Sequence, residues 1–383
     1  SNYYFIHYYY KMNELHNIDI VNKENFINTY NQICRKKYGE YIPSIMKKVN
    51  KLFVFGDLHG DLKLLKKMLK LAQVVDDDYN WIGNNAYIVQ VGDQIDRCRP
   101  LWNMDCSNPL TTVGDEGSDI EILKLCNKLH EQAQKVGGAI ISLLGNHELM
   151  NVNGNLTYVS YEGRQEFNNY IDPENPDLKF KSGEDARKHA FKPGNEIGTL
   201  LGCSRYPAVI IGTHLFVHAG IVNELIEQLT LNDKTDIETI NIAIRMWLLE
   251  KLDKKFIKDI IDGSNISMFW TRLLGGIPPN VPFQDVRCVN QIGKVLKLFK
   301  VNSIIIGHTP QSFVYSESLN HTCDGKVWRV DNGSSKAFAR FDNEYMNTGH
   351  ATRNRRVQIL EIYNDKEYFI IDDIGRKQTD INT

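Results

Sequence analysis

Five times along this chain a short apolar run, rich in β-branched residues, ends in a polar cluster that contains or adjoins glycine. Lys51–Phe55 leads into Gly56-Asp-Leu-His-Gly-Asp61, Ala86–Val91 into Gly92-Asp-Gln-Ile-Asp-Arg97, and Ala139–Leu144 into Gly145-Asn-His-Glu148. Leu215–Val217 leads into His218-Ala-Gly220, and Ser303–Ile306 into Gly307-His308-Thr-Pro310. Runs this short and this apolar read as buried strands. In an α/β sheet the carboxyl ends of the strands open onto one crevice, so clusters placed there converge. Nothing else in the sequence restricts the fold as tightly.

The segments between the first three runs are helical in pattern. Asp61 can cap a helix that keeps Leu62, Leu65, Met68, Leu69 and Ala72 on one face, and Ser118 with Glu121 makes a capping box ahead of Ile122, Leu125 and Leu129. The order β-α-β-α-β is that of an α/β protein. Later, Val209–Ile211 and Leu215–Val217 read as a hairpin around Gly212, and Val357–Tyr363 turns at Asn364-Asp365 into Glu367–Ile371, so the second half should add antiparallel pairing. Residues 1–48 are polar and aromatic, with weak helical periodicity around Phe26, Tyr30, Ile33 and Tyr38, and read as an arm packed on one catalytic domain, 49–383; Met12 fits a natural start. Within that domain a helical pattern marked by Ile240, Ile244, Trp247, Leu248 and Leu252 makes residues 222–285 an expected helical insertion. No internal repeat or Gly/Ser linker divides the 383 residues.

Composition narrows the partners. A formal net charge of −2 with interspersed signs offers no footprint for a nucleic-acid backbone or an anionic membrane. There is no apolar run of about 18 residues, and the tyrosine-rich start (Tyr3, Tyr4, Tyr8, Tyr9, Tyr10) lacks the features of a signal peptide, so a soluble, cytoplasmic protein is expected. Seven scattered cysteines read as free thiols in a reducing compartment. One alternative stands beside that reading: Cys98 and Cys106, if oxidised, would close a short loop next to the second cluster, instead of remaining two thiols with one buried under Trp102.

The converging donors are carboxylates, an amide and imidazoles: Asp57, His59, Asp93, Asn146, His218 and His308. That mixture suits divalent cations such as Mn, Fe or Zn. A glycine next to each ligand is expected to let the chain turn sharply from strand into loop.

The order GDLHGD, GDQIDR, GNHE, VHAG, GHTP resembles the metallophosphoesterase superfamily and, through Arg97, its phosphoprotein phosphatase branch. The longer strings Leu143–Val152, Phe216–Gly220, Phe269-Trp-Thr-Arg272 and Trp328-Arg-Val-Asp-Asn-Gly333 look most like the Shewanella-like phosphatases of that branch. The resemblance, over roughly residues 50–340, implies a calcineurin-like β-sandwich flanked by helices, with loop and helical insertions. It implies two metal ions, one on Asp57 and His59, one on Asn146, His218 and His308, with Asp93 bridging, and in-line attack on phosphorus by a hydroxide shared between them. His147, oriented by Asp96, would protonate the leaving oxygen, and Arg97 and Arg272 would clamp the phosphoryl group. Cys98 stands where the family has glycine, which leaves the geometry around Arg97 open. Asp331 and Asn332 either support the site or form a plain turn. The expected activity is hydrolysis of phosphoserine, phosphothreonine or phosphotyrosine in a protein; the alternative is a small phosphorylated substrate such as a dinucleoside polyphosphate. A phosphodiesterase or nuclease is disfavoured by the two-arginine clamp, and a metal scaffold without turnover by His147.

Overall fold

β-Branched and aromatic residues alternate between two destinations along the central strands, and that alternation builds a layered molecule. In β2, Leu52 and Val54 point into one apolar cluster while Phe53 and Phe55 point into another. A strand buried on both faces must be covered twice, here by a second sheet on one side and by helices on the other.

The computed structural model describes residues 11–341 and 355–381; the tyrosine-rich start lies outside the described residues. The strands in chain order are β1 (Ile45–Met46), β2 (Lys51–Phe55), β3 (Tyr87–Gln90), β4 (Ala139–Leu143), β5 (Arg205–Tyr206), β6 (Ala208–Ile211), β7 (His214–Val217), β8 (Ser303–Ile306), β9 (Asn320–Thr322), β10 (Val327–Arg329), β11 (Ile359–Tyr363), β12 (Glu367–Ile371) and β13 (Arg376–Gln378). One sheet has the order β13-β12-β11-β2-β3-β4-β5, the other β1-β6-β7-β8-β10-β9. β2, β3, β4 and β5 run parallel, as do β7, β8 and β10, so their carboxyl ends share an edge. The hairpins at β6/β7 and β11/β12 are antiparallel, the second turning through Asn364 and Asp365 at positive φ. This is an α/β sandwich: Val89, Ile141 and Leu143 of one sheet meet Val209, Phe216, Ile305 and Trp328 of the other.

Helices close the outer faces. Leu62–Leu71 and Asp119–Gln134 cover Phe53, Ile88 and Ile140, while Asp236–Leu248 and Val286–Phe299 cover the outer side of the second sheet. Asp61 caps the first helix, accepting from Leu64 N at 3.0 Å. Ser118 does not form the expected capping box. Its hydroxyl donates to Glu116, and the first amides of the helix, Asp119 N and Ile120 N, donate instead to the Glu166 carboxylate, a charged acceptor that complements the helix terminus better than a hydroxyl. Among residues 11–48, Ile45 and Met46 add to the second sheet beside β6, and the rings of Phe26, Tyr30 and Tyr41 surround the Arg245 guanidinium. No helix among the described residues is long and apolar enough to cross a membrane.

The reading of the cysteines as free thiols is overturned. Six of them pair as Cys34–Cys203, Cys98–Cys106 and Cys288–Cys323; Cys126 alone is free and buried. Partners 169 and 35 residues apart cannot be recognised from spacing, because only the folded chain brings them within reach. Nor is Trp102 a lid over the shortest of these loops, for it is 97% exposed.

Candidate active site

All six nominated donors, Asp57, His59, Asp93, Asn146, His218 and His308, are buried at the carboxyl ends of β2, β3, β4, β7 and β8. The chain leaves these strands abruptly, and His59, Asp93, Asp96 and His308 all take positive φ. Non-glycine residues in that region cost about 1–3 kcal/mol each, an expense concentrated at functional sites. At two of the flanking positions glycine supplies space, and φ is not the reason. A Cβ on Gly145 would lie 2.0 Å from Asp93 Oδ1, and one on Gly307 2.2 Å from Asp57 Oδ1, so only hydrogen at these points admits the carboxylates.

Backbone acceptors fix the imidazoles. His218 Nδ1 donates to Val91 O at 2.8 Å, since a carbonyl can only accept, which leaves Nε2 as the lone-pair nitrogen 3.0 Å from Asn146 Oδ1 and 3.3 Å from Asp93 Oδ2. His308 Nε2 donates to Trp270 O at 3.0 Å, and its own amide donates to Asp57 Oδ2 at 3.0 Å. His59 Nε2 stands 3.8 Å from Asp57 Oδ2 and 3.9 Å from Asp93 Oδ2, too far for a hydrogen bond and near enough to share a cation. Asp57 Oδ1 and His59 Nδ1 are buried without a hydrogen-bond partner. Two triads, His59–Asp93–His147 and Asp93–His218–His308, each bring their donor atoms within 4.8 Å of one another, and Asp93 belongs to both. Oxygen and nitrogen donors around one shared carboxylate, with Asp57 Oδ1 orphaned in the interior, fit divalent ions.

At Asp93, His59 and His308 the electrostatics agree with that fit. Burial, together with Asp331 and Asp93, pushes Asp57 well above the ordinary carboxylate range. Burial would raise Asp93 as well, but His218, His147 and His59 outweigh it and hold this carboxylate well below its usual value. Burial, with Arg99 and His147 for His59 and with His218 and Arg272 for His308, keeps both rings neutral, the form that ligates. Asp331 lies behind Asp57, accepts from Gly333 N at 2.9 Å, and is raised to about 6, chiefly by burial.

His147 and Asp96 meet as the sequence predicts: His147 Nδ1 donates to Asp96 Oδ2 at 2.8 Å. The support beneath them is a finding of the structure. Asn151 Nδ2 donates to both Asp96 oxygens, at 2.9 and 3.1 Å, and Arg187 bonds Asn151 Oδ1, Gly163 O and Asp119 Oδ2 while standing 3.5 Å from Asp96. Glu148 accepts from Asp93 N, Gln94 N and Gly145 N at 3.0, 2.8 and 2.7 Å, stitching the second cluster to the third. A signal for Arg187 did exist, as a lone arginine on the buried face of Gly183–Phe191 beside Ala186, Ala190 and Phe191.

The two nominated arginines part company. Arg272 is exposed and donates through one nitrogen to His308 O at 2.9 Å. Arg97 is 1% exposed, and its guanidinium is occupied by Gly60 O at 3.0 Å, Gly114 O at 2.9 Å and Glu116 at 3.3 Å. The structure does not bring it to the cluster.

A two-sheet α/β sandwich whose strand ends gather aspartate, histidine and asparagine defines the class. The sequence matches the calcineurin-like phosphoesterase family over residues 51–312, and the chain belongs to that family. Among individual proteins, it is 37% identical over 255 residues to an uncharacterised protein of Acanthamoeba polyphaga mimivirus, covering 63% of this chain and 96% of that one. It is 26% identical over 329 residues to Shewanella-like protein phosphatase 2 of Arabidopsis thaliana, covering 79% and 75% of the two chains. Its fold is similar to that of the cold-active protein-tyrosine phosphatase of a psychrophilic Shewanella species, with a TM-score of 0.62 at 21% identity, covering 88% and 83%.

Proposed function

We propose that the chain is a two-metal phosphomonoesterase acting on phosphoproteins. The observation that carries this reading is a single buried carboxylate, Asp93, common to the donor groups His59–Asp93–His147 and Asp93–His218–His308, with His147 of the first hydrogen-bonded to Asp96. Asp57, His59 and Asp93 would hold one ion, and Asp93, Asn146, His218 and His308 the other, with Mn proposed and Fe or Zn equally suited to the donors. Such ions supply Lewis acidity and lower the pKa of an attacking water.

The remaining work falls to the chain. Asp96 holds the Nδ1 proton of His147, so the proton delivered to the leaving oxygen sits on Nε2. Asn151 and Arg187 keep Asp96 from turning away. Arg272, pinned at one nitrogen and exposed elsewhere, binds phosphoryl oxygens. A protein substrate, on serine, threonine or tyrosine, is favoured by the likeness to protein phosphatases. Three disulfides favour an oxidising compartment over the cytoplasm.

The test is chelation followed by reconstitution. Stripped protein should lose hydrolysis of an aryl phosphate and regain it with Mn, at a stoichiometry of two ions per chain. Full activity in metal-free protein would overturn the reading. Faster turnover of dinucleoside polyphosphates than of phosphopeptides would reassign the substrate class.

A further inference from the structure

The arginine that the family resemblance nominates is buried, and two residues further on a second guanidinium packs against the aromatic rings beside the site. Arg99 lies over the ring of Phe338, 4.6 Å from its centroid, and over that of Tyr158 at 5.6 Å. Those two rings frame the site: Phe338 packs edge-on against His59 at 5.6 Å and Tyr158 against His147 at 4.9 Å, while His59 and His147 are themselves 4.9 Å apart. A guanidinium resting on both frame members therefore stands beside the metal-binding and proton-donating histidines.

Donor arithmetic separates the two arginines. Both terminal nitrogens of Arg97 are bonded to backbone oxygens and Glu116, and its Nε, although without a partner, is buried in the interior. Arg99 uses only NH1, on Asp96 O at 3.2 Å and Cys98 O at 2.8 Å, so Nε and NH2 keep their hydrogens without a bonded acceptor among the described residues. A guanidinium is a five-donor fork that suits the tetrahedral oxyanion of a phosphoryl group, and the aromatic faces hold its plane. Cys98 sits between the two arginines and is tied to Cys106, with Cα atoms 5.9 Å apart, so the backbone between them is cross-linked.

We infer that Arg99, with Arg272, binds the phosphoryl oxygens of the substrate, and that Arg97 is a structural pin of the loop. The inference rests on the phosphatase reading above. Calorimetric titration of metal-loaded protein with inorganic phosphate, beside aryl phosphate hydrolysis, tests it. Arg99→Ala should weaken phosphate binding by about 10- to 100-fold, the worth of one or two charge-assisted hydrogen bonds, with metal content and melting temperature kept. Arg99→Lys, retaining charge without the fork, should fall between. Arg97→Lys should melt lower while the folded protein binds phosphate within about twofold of the parent. Parent-like phosphate affinity in Arg99→Ala, or a loss that follows Arg97 instead, overturns the assignment. A parent that binds phosphate through Arg99 yet hydrolyses no phosphomonoester upholds the clamp and sinks the phosphatase reading alone.

Discussion

A proton positioned by one carboxylate is the smallest unit of the proposed chemistry. Asp96 receives hydrogen bonds from His147 and Asn151, so His147 can present Nε2 in only one orientation. His147→Asn should leave both ions bound and lower kcat by about 10²- to 10⁴-fold on substrates with poor leaving groups, with a smaller deficit on activated aryl phosphates. Equal losses across a leaving-group series, measured at saturating substrate, would remove the proton-donor role. The residues of this dyad were readable because each sits inside a short motif at a strand end. Their support was not: Arg187 lies 36 residues from Asn151 and meets it only through the packing of two helices. Arg97 shows the opposite failure. A motif position specifies a residue, but the direction of a long side chain is set by the acceptors that the surrounding loop offers, here Gly60, Gly114 and Glu116.

At the scale of elements, strands and hairpins followed from periodicity, because a strand buried on both faces is a continuous apolar run and a hairpin turn needs residues that tolerate positive φ. The capping of the helix that starts after Ser118 did not, since the acceptor for its first amides, Glu166, comes from a segment 47 residues away. The glycine rule also needed the structure. Glycine after a strand was expected for its turn, yet Gly145 is needed because the Asp93 carboxylate fills the place of a Cβ. Gly145→Ala should therefore displace Asp93. The expected result is a variant destabilised by about 1–3 kcal/mol, as for other overpacked positions, that binds less than its full complement of Mn. Metal analysis by mass spectrometry checks this, and a fully loaded, fully active alanine variant would show that the loop yields freely.

The whole molecule is tied together by links that sequence spacing conceals. Cys34–Cys203 joins the end of the helix Lys23–Ile33 to the helix Glu196–Ser204 across 169 residues. Closing so long a loop in the unfolded chain is worth about 5 kcal/mol in the chain-entropy model, so Cys34→Ser with Cys203→Ser should lower the urea midpoint clearly, while the double variant at Cys98 and Cys106, closing a far shorter loop, costs about half as much. Comparable midpoints for the two pairs would show that strain or residual structure dominates. A different consequence follows from how the donors are shared between the sheets. Asp57, Asp93 and Asn146 come from the sheet that begins with β2, whereas His218 and His308 come from its partner. During synthesis the first three emerge long before the last, and β11, which pairs with β2, is made later still. A growing chain on the ribosome thus carries an incomplete set of donors until His308 has been made, and the sheet that holds Asp57 and Asp93 gains β11 beside β2 only after that.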